Sequence, residues 1–306
     1  MLDLHGREIS GLRLAVTQRC NQSCVYCHNE GQLPSKREMT VDEIARIVRV
    51  AESIGVRKVK ITGGEPLLRR DITRVVARCS QYTEEVSLTT NGVLLEGMAQ
   101  PLREAGLARI NISLDTLNRA MYKRITGRDD LPSVLRGIEA AREAGFQVMK
   151  LNAVILKGMN QRDLKDLILF SAQNGALLQL IELTVRKEEV GTSFYRKYHY
   201  DLARIERVLR TWASETGANE IHNRKRYLLG VNGSKAVVEI VRPMGNRDFC
   251  SNCTRIRVTS DGRIKPCLLT NSGEVDTLHL LESGRGEEAL RELFVRVIAE
   301  RRLYWD

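Results

Sequence analysis

Six short strand patterns alternate with helical patterns along the chain, and this alternation limits the fold more than any other feature. Strands joined by helices form a parallel sheet, which is either open or curled toward a barrel. The strand patterns cover Leu12–Thr17, Val56–Thr62, Val86–Thr90, Arg109–Asp115, Val148–Ile155 and Leu177–Leu183. The clearest helical patterns cover Thr40–Gly55, Asp71–Tyr82, Pro132–Ala144 and Arg162–Asn174. The sequence therefore predicts an α/β fold with a parallel sheet.

Consecutive strands of this series have one apolar side and one polar side. Parallel strands that helices cover on both faces are usually apolar on both. The polar sides carry Arg13, Lys58, Lys60, Thr89, Ser113 and Lys150. We therefore predict a partial (β/α)6 barrel of the TIM type, open at one side, whose polar lumen suits a phosphorylated, hydroxyl-rich ligand. An antiparallel sheet with one solvated face is the alternative.

Three cysteines after the first strand, Cys20, Cys24 and Cys27, follow the spacing Cys-x3-Cys-x2-Cys. Iron-sulfur clusters in proteins normally take four cysteine thiolates. A cubane held by three of them would leave one iron open for a small chelating ligand. A structural zinc site completed by His28 is the alternative, because zinc also binds three cysteines and one histidine.

A second triad lies near the C-terminus with the spacing Cys-x2-Cys-x13-Cys. Its members are Cys250, Cys253 and Cys267. The triad predicts a second cluster with an open iron, or a zinc ribbon completed by His279 or another cysteine. Arg255 and Arg257 lie between these cysteines and point the same way in an extended segment. Guanidinium groups at such positions pair well with phosphate oxygens.

Composition narrows the partners and the compartment of this chain of 306 residues. The net charge of +10 favours an anionic partner, although charge does not choose between a nucleotide, a nucleic acid and a membrane surface. No apolar run approaches the roughly 20 residues of a membrane span. Seven cysteines without a secretion signal favour a reducing cytoplasm over a disulfide framework. The seventh, Cys79, lies in a helical pattern and is interpreted as a buried apolar residue.

The motifs together resemble a known enzyme family. The first triad, with Tyr26 before its last cysteine, resembles the motif of the radical S-adenosylmethionine superfamily. Thr62-Gly63-Gly64-Glu65-Pro66 resembles the turn with which such enzymes hold the methionine amino group. With the second triad, Asn111-Ile112-Ser113-Leu114-Asp115 and Arg255-Ile256-Arg257, the chain resembles the GTP 3′,8-cyclase family from about Leu12 to Leu269.

That resemblance implies two 4Fe-4S clusters and S-adenosylmethionine as cofactors, and GTP as substrate. In the family, a 5′-deoxyadenosyl radical removes the ribose C3′ hydrogen, and the product is 3′,8-cyclo-7,8-dihydro-GTP in molybdenum cofactor biosynthesis. It further implies an electron donor such as ferredoxin or flavodoxin and a cyclic pyranopterin monophosphate synthase downstream. We expect residues 1–190 to form the barrel core and residues 191–306 to form a C-terminal region whose second cluster closes it.

The resemblance also implies roles for individual residues. The expected cluster ligands are Cys20, Cys24, Cys27, Cys250, Cys253 and Cys267. The expected contacts to S-adenosylmethionine are Tyr26, Gly64 and Ser113. The expected contacts to GTP are Arg13, Lys58, Lys60, Thr89, Lys150, Arg255 and Arg257, the last two being catalytic as well.

Three positions depart from the family pattern. Gln179 stands where an arginine is frequent, so one triphosphate or catalytic contact is missing or supplied elsewhere. Thr184 stands where a methionine helps to hold S-adenosylmethionine. The chain ends Leu303-Tyr304-Trp305-Asp306, whereas many members end in a Gly-Gly tail that reaches the active site.

Two other functions compete with this interpretation. One is a twin-cluster radical enzyme that acts on a peptide or a tetrapyrrole. The other is a nucleic-acid-binding protein with two zinc modules. The low aromatic content, 5% of the residues, argues against it, because such proteins stack bases on aromatic side chains. We expect neither nucleic acid nor a membrane as a partner, and the sequence leaves open whether the chain forms a homodimer.

The segment Glu188 to Lys235 shows no clear strand series and is predicted to be a solvated linker with surface helices.

Overall fold

Eight adjacent parallel strands form the centre of a sheet of twelve strands in the part of the chain that this computed structural model describes, residues 1–219, 223–282 and 286–305. The strands are β1 (Gly11–Ala15), β2 (Lys58–Thr62), β3 (Glu85–Thr90), β4 (Arg109–Ser113), β5 (Val148–Ile155), β6 (Leu177–Glu182), β7 (Ala213–Asn219), β8 (Arg224–Val231), β9 (Ser234–Val241), β10 (Arg255–Val258), β11 (Arg263–Lys265) and β12 (Val275–Asp276). The helices are α1 (Val41–Ser53), α2 (Ile72–Ser80), α3 (Ala99–Glu104), α4 (Arg119–Thr126), α5 (Leu131–Glu143), α6 (Leu164–Gln173), α7 (Ser193–Tyr198), α8 (Ala203–Trp212), α9 (Arg247–Ser251), α10 (Leu278–Glu282) and α11 (Glu287–Ala299).

The first six strands form the predicted α/β core, in which neighbouring strands are parallel and lie in chain order. Their apolar sides are fully buried, as Leu14, Ile61 and Ile112 show. Helix α1 begins where the sequence predicts, because Thr40 and Glu43 form a reciprocal capping box. The period-two interpretation of the strands is therefore confirmed, and their polar sides face away from this core.

The C-terminal region covers both edges of the six-stranded core. Strand β10 pairs with β1, so that Gly11 lies opposite Arg255. Strand β9 pairs with β6, so that Gln179 lies opposite Glu239. Beyond these, β11 and β12 extend one side and β8 and β7 the other, all in antiparallel pairing. Neither β1 nor β6 is an edge strand, which keeps their backbone groups paired.

The prediction of a strand-free linker over Glu188 to Lys235 is wrong. Strands β7 and β8 lie within it, and β9 begins at its end. Their charged residues obscure the strand signal, because the polar side of β8 faces a buried carboxylate rather than solvent. The division at residue 190 stays a prediction, since one sheet runs through both regions. Among the described residues, no helix has the length and apolar character that a bilayer span requires.

Candidate functional site

The cysteine loop and the glycine turn meet at the carboxyl ends of β1 and β2, where parallel α/β folds place their sites. The backbone amides of Gln22 and Asn29 donate to the Sγ atoms of Cys20 and Cys27, at 3.5 and 3.4 Å. Such N–H donors stabilise thiolates, which suits the donor set to an iron-sulfur cluster. Burial raises the pKa of the Cys24 thiol, and Asp115, Cys27 and Cys20 raise it further. Cys20, Cys24 and Cys27 thus influence one another electrostatically.

Glu65 fixes the glycine turn against the end of β3. Its buried carboxylate accepts hydrogen bonds from the amides of Leu67 and Asn91 and from the hydroxyl of Thr90, at 3.0, 2.7 and 2.7 Å. Burial raises the pKa of Glu65 to about 6 despite these bonds. A side chain at Gly64 would collide with backbone carbonyl oxygens of the cysteine loop, so the turn and the loop pack with no space between them.

A hydrogen bond connects the cysteine loop to β4. The Tyr26 hydroxyl donates to Oδ2 of Asp115 at 2.8 Å, and Oδ1 of Asp115 accepts from the amide of Val154 at 2.8 Å. Burial raises the pKa of Asp115 to about 6. Ser113 lies half-buried on β4, opposite Asn152 on β5. Tyr26 and Cys27 also line a cavity beside this loop.

A second cavity opens over the polar sides of the parallel strands, and with its mouth it encloses about 1190 Å³. The strand residues that line it include Arg13, Lys60, Thr89, Asn111, Asn152, Gln179, Arg224, Arg255 and Arg257. We call this space the cationic cavity. It shares His28, Thr184, Leu268 and Leu269 with the cavity beside the cysteine loop, so the two cavities adjoin.

Glu30 compensates two of the cations. Its carboxylate pairs with Arg13 at 2.7 Å and with Arg257 at 2.8 Å, and it accepts a hydrogen bond from Thr62 at 3.0 Å. Burial alone would raise the pKa of Glu30, but the two arginines outweigh it and lower the pKa to about 2. Both guanidinium groups are thereby held in place along the cavity wall.

Lys60 and Arg255 have no such compensation. Neither forms an ion pair with a carboxylate in the residues that the structure describes. Burial lowers the pKa of Lys60 well below its usual value, and Arg255 and Arg13 lower it further. Burial and the nearby Arg224 and Arg13 likewise lower the pKa of Arg255. Half-buried cations that lie this close together favour an anionic ligand, although the nearby Cys253 also attracts Arg255.

Glu239 on β9 is fully buried at the opposite wall. Lys150 and Arg224 approach its Oε2 atom at 3.4 and 3.5 Å, and Arg226 approaches Oε1 at 3.1 Å. The Gln179 amide also donates to Oε2. Lys150, a predicted GTP contact, is thus paired with this carboxylate and is not among the residues that line the cationic cavity.

The second cysteine triad lines the cationic cavity directly. Arg301 donates to Sγ of Cys253 at 3.4 Å, and although burial opposes it, Arg301 and the neighbouring Arg255 lower the pKa of this thiol. Tyr304 and Trp305 also line the cavity, together with Cys250 of this triad. The tail without Gly-Gly therefore reaches the site, while Asp306 lies outside the described residues. The triad and its N–H donors fit an iron-sulfur cluster.

Some predicted residues lie elsewhere. Lys58 is exposed at the amino end of β2 and does not line the cationic cavity. His279 is exposed on α10, and Nδ1 of His28, which is also exposed, accepts a hydrogen bond from the Glu30 amide at 3.1 Å. Within the described ranges, no three His, Cys, Asp or Glu side chains are grouped to bind a single metal ion. Cubane ligands, by contrast, are spread around four irons.

Sequence reasoning missed Glu30, Arg224, Glu239 and Trp305, all at this site. Glu30 follows the first triad by three residues, but a lone glutamate there carries no motif. Arg224 and Glu239 lie on β8 and β9. Of these two, only Glu239 has a sequence signal, because it interrupts the apolar run Val237-Val238-Glu239-Ile240-Val241. An acidic residue within such an apolar run is buried only when paired.

Two family models match the chain. The model of the Radical SAM superfamily matches residues 14–171, and the model named Molybdenum Cofactor Synthesis C matches residues 176–306. A probable GTP 3′,8-cyclase of Thermococcus kodakarensis is 45% identical over 306 residues, covering 100% of this chain and 99% of the relative. A probable GTP 3′,8-cyclase of Pyrococcus abyssi is 44% identical over 305 residues, with coverage of 100% and 99%.

Solved structures share the fold at low identity. Streptococcus suis SuiB bound to S-adenosylmethionine matches with a TM-score of 0.63 and 18% identity, over 93% of this chain and 66% of that one. Native anSMEcpe with bound AdoMet matches with a TM-score of 0.54 and 16% identity, over 85% and 75%. This chain therefore spans about two thirds of the length of SuiB.

Proposed function

The chain belongs to the radical S-adenosylmethionine superfamily and, within it, to the GTP 3′,8-cyclase family, and from this membership we infer that it converts GTP to 3′,8-cyclo-7,8-dihydro-GTP. It is a lyase of molybdenum cofactor biosynthesis. Cys20, Cys24 and Cys27 would hold the 4Fe-4S cluster of the superfamily. When bound, it would supply one electron to S-adenosylmethionine, so that a carbon–sulfur bond breaks into methionine and a 5′-deoxyadenosyl radical able to remove the ribose C3′ hydrogen.

One observation carries the choice of substrate. Lys60 and Arg255 face the cationic cavity without a carboxylate partner among the described residues, directly beside the second cysteine triad. A triphosphate supplies the missing negative charge, and guanidinium forks bind its oxygens in defined orientations. A peptide or tetrapyrrole substrate contains no triphosphate for these cations to bind.

The residues of the chain divide the work between two adjoining cavities. Tyr26, Gly64 and Ser113 hold S-adenosylmethionine, and Gly64 allows the turn to pack against the backbone that leads into the cysteine loop. Arg13, Lys60, Arg255 and Arg257 hold GTP, and Thr89 contributes a hydroxyl to the same wall. Lys150, which pairs with Glu239, is the further GTP contact that the family resemblance implies. Arg255 and Arg257 orient the substrate for reaction, so that the reactive carbon meets only the intended hydrogen.

The second triad binds a second 4Fe-4S cluster through Cys250, Cys253 and Cys267. Its place on the wall of the cationic cavity supports a cluster whose open iron contacts the purine of GTP. Reduction requires a donor such as ferredoxin or flavodoxin, and a cyclic pyranopterin monophosphate synthase consumes the product. All seven cysteines are free thiols in the structure, which suits a reducing cytoplasm.

The decisive experiment uses anaerobically reconstituted, reduced protein with S-adenosylmethionine and GTP deuterated at C3′. The expected result is a cyclised nucleotide together with 5′-deoxyadenosine that carries the label. Release of unlabelled 5′-deoxyadenosine without a cyclised nucleotide would contradict the function. Cys24→Ser should abolish both products, Cys267→Ser should abolish the cyclised nucleotide, and Cys79→Ser, in the buried face of α2, should change neither.

A further inference from the structure

We propose that Arg224 on β8 binds the phosphates of the substrate, and that it supplies the cationic contact which Gln179 on β6 cannot make. This inference rests on the proposed function, since it takes GTP as the ligand. It adds a strand of the C-terminal region to the substrate-binding surface.

Arg224 is a buried cation that faces the cationic cavity. Its side chain is 9% exposed, and it lines the cavity together with Arg13, Lys60 and Arg255. Burial lowers the pKa of Arg224, Glu239 opposes this change, and Arg13 adds to it. Arg224 therefore lies within the same group of mutually repelling cations that the substrate must neutralise.

The hydrogen-bonding capacity of Arg224 is largely unused. Its contact with a side chain is the pairing of Nη1 with Glu239 at 3.5 Å, which is long for a charge-assisted bond. The Nε atom is buried and has no hydrogen-bond partner among the described residues. A guanidinium group carries five N–H donors, and leaving a buried donor unpaired is costly. A phosphate oxygen in the cavity would give this guanidinium group the close partner that Glu239 does not.

Gln179 is committed to another contact. It lies opposite Glu239 in the β6–β9 register, and its amide donates to the Glu239 carboxylate. Gln179 is neutral and 5% exposed, so it offers no charge to the cavity it lines. The same carboxylate that binds Gln179 also holds Arg224, which brings a cation from β8 to the wall where β6 has none.

Glu239 makes this arrangement stable before substrate binds. A buried arginine without a counter-charge would strongly destabilise the fold. Glu239 is fully buried and pairs with Lys150, Arg224 and Arg226 at once. Glu239 therefore retains Arg224 near the cavity and leaves most of the N–H donors of Arg224 available.

The test compares two arginines on one strand. Arg224→Gln and Arg226→Gln each remove a cation from Glu239, but Arg226 is 41% exposed and does not line the cationic cavity. Binding of GTP and of guanosine to the reconstituted protein is measured by equilibrium dialysis. Arg224→Gln should weaken GTP binding about 10- to 100-fold, the effect of losing a charged hydrogen bond. Guanosine binding should be unchanged in both variants, and Arg226→Gln should bind GTP as the natural protein does.

The outcomes separate the inference from the function beneath it. If the natural protein fails to bind GTP, the proposed function is wrong. If it binds GTP and Arg224→Gln binds equally well, only the role of Arg224 is wrong. If GTP and guanosine binding fall together, or if Arg226→Gln loses GTP affinity equally, Arg224 is structural and the inference is overturned. Arg224→Lys, which keeps the charge but not the fork, should lose less affinity than Arg224→Gln.

Discussion

Arg301 donates hydrogen bonds from one nitrogen to both the carbonyl oxygen and the Sγ atom of Cys253, each at 3.4 Å. The same guanidinium group pairs with the buried Asp3 at 3.1 Å, and Asp3 also pairs with Arg7 at 2.7 Å. Arg7 in turn donates to the carbonyl oxygen of Cys250 at 2.9 Å. Both ends of the chain therefore support the backbone of the second triad.

Arg301→Gln should loosen the second triad. Removal of one partner from a buried ion pair costs about 3–5 kcal/mol, and here it also removes both contacts to Cys253. Iron content after anaerobic reconstitution should fall from about eight to about four per chain, since each cubane holds four. Arg291→Gln, which breaks an exposed pair on α11, is the matched control. Eight irons retained in Arg301→Gln would contradict this role.

Lys60→Met should make the ligand-free protein more stable and weaken its binding of GTP. It removes a half-buried cation that has no carboxylate partner among the described residues, so the melting temperature should rise. GTP affinity should fall about 10- to 100-fold. Lys58→Met, on the same strand but exposed and away from the cationic cavity, should change neither quantity. A drop in the melting temperature of Lys60→Met would show that Lys60 is compensated.

Tyr26→Phe should weaken S-adenosylmethionine binding and destabilise the cysteine loop. The change leaves the buried Asp115 carboxylate without its 2.8 Å hydroxyl donor, at a cost of about 1–3 kcal/mol. Urea unfolding and S-adenosylmethionine titration measure the two effects. Tyr82→Phe, at a partly buried ring packed against the core, serves as the control for loss of a hydroxyl. Equal behaviour of the two variants would refute a special role for the Tyr26–Asp115 bond.

Glu30 should make the stability of the cluster-free protein depend on acid pH. Its folded pKa of about 2 lies below the ordinary value of 4.5, so the ionised carboxylate stabilises the fold above pH 4.5. This contribution, about 3 kcal/mol, is lost as the pH falls toward 2. The unfolding free energy of Glu30→Gln should thus be lower at pH 7 and converge with that of the natural protein at low pH. Glu288→Gln, in an exposed pair, should show no such convergence. A gap that stays constant with pH would disprove the assignment.

The sequence predicts those parts of the site that local patterns encode. Period-two alternation places Arg13 and Lys60 on the cavity side of their strands, and the capping box at Thr40 begins α1 as expected. Alternation predicts which side of a strand a residue faces, but it does not predict how far along the strand the cavity extends. Lys58 faces the same side of β2 as Lys60, yet it lies two residues toward the amino end, where it is exposed.

The counter-charges were beyond sequence reasoning because they depend on long-range pairing. Glu239 reaches the site only because β9 pairs with β6, and Arg224 only because β8 pairs with β9. Trp305 reaches it because the C-terminal tail packs on Cys250. No local spacing records these contacts, and the charge-rich β8 looked like a solvated surface.

The pairing of β1 with β10 joins two strands that are made at well-separated times, because β2 to β9 lie between them along the chain. A nascent chain leaves the ribosome N-terminus first, at about 5–20 residues per second. One side of β1 therefore stays unpaired until β10 has emerged, and an open strand edge invites aggregation. The first cysteine loop follows directly on that strand. The backbone that leads into this loop is thus paired on both sides only after β10, which lies between Cys253 and Cys267, has been made.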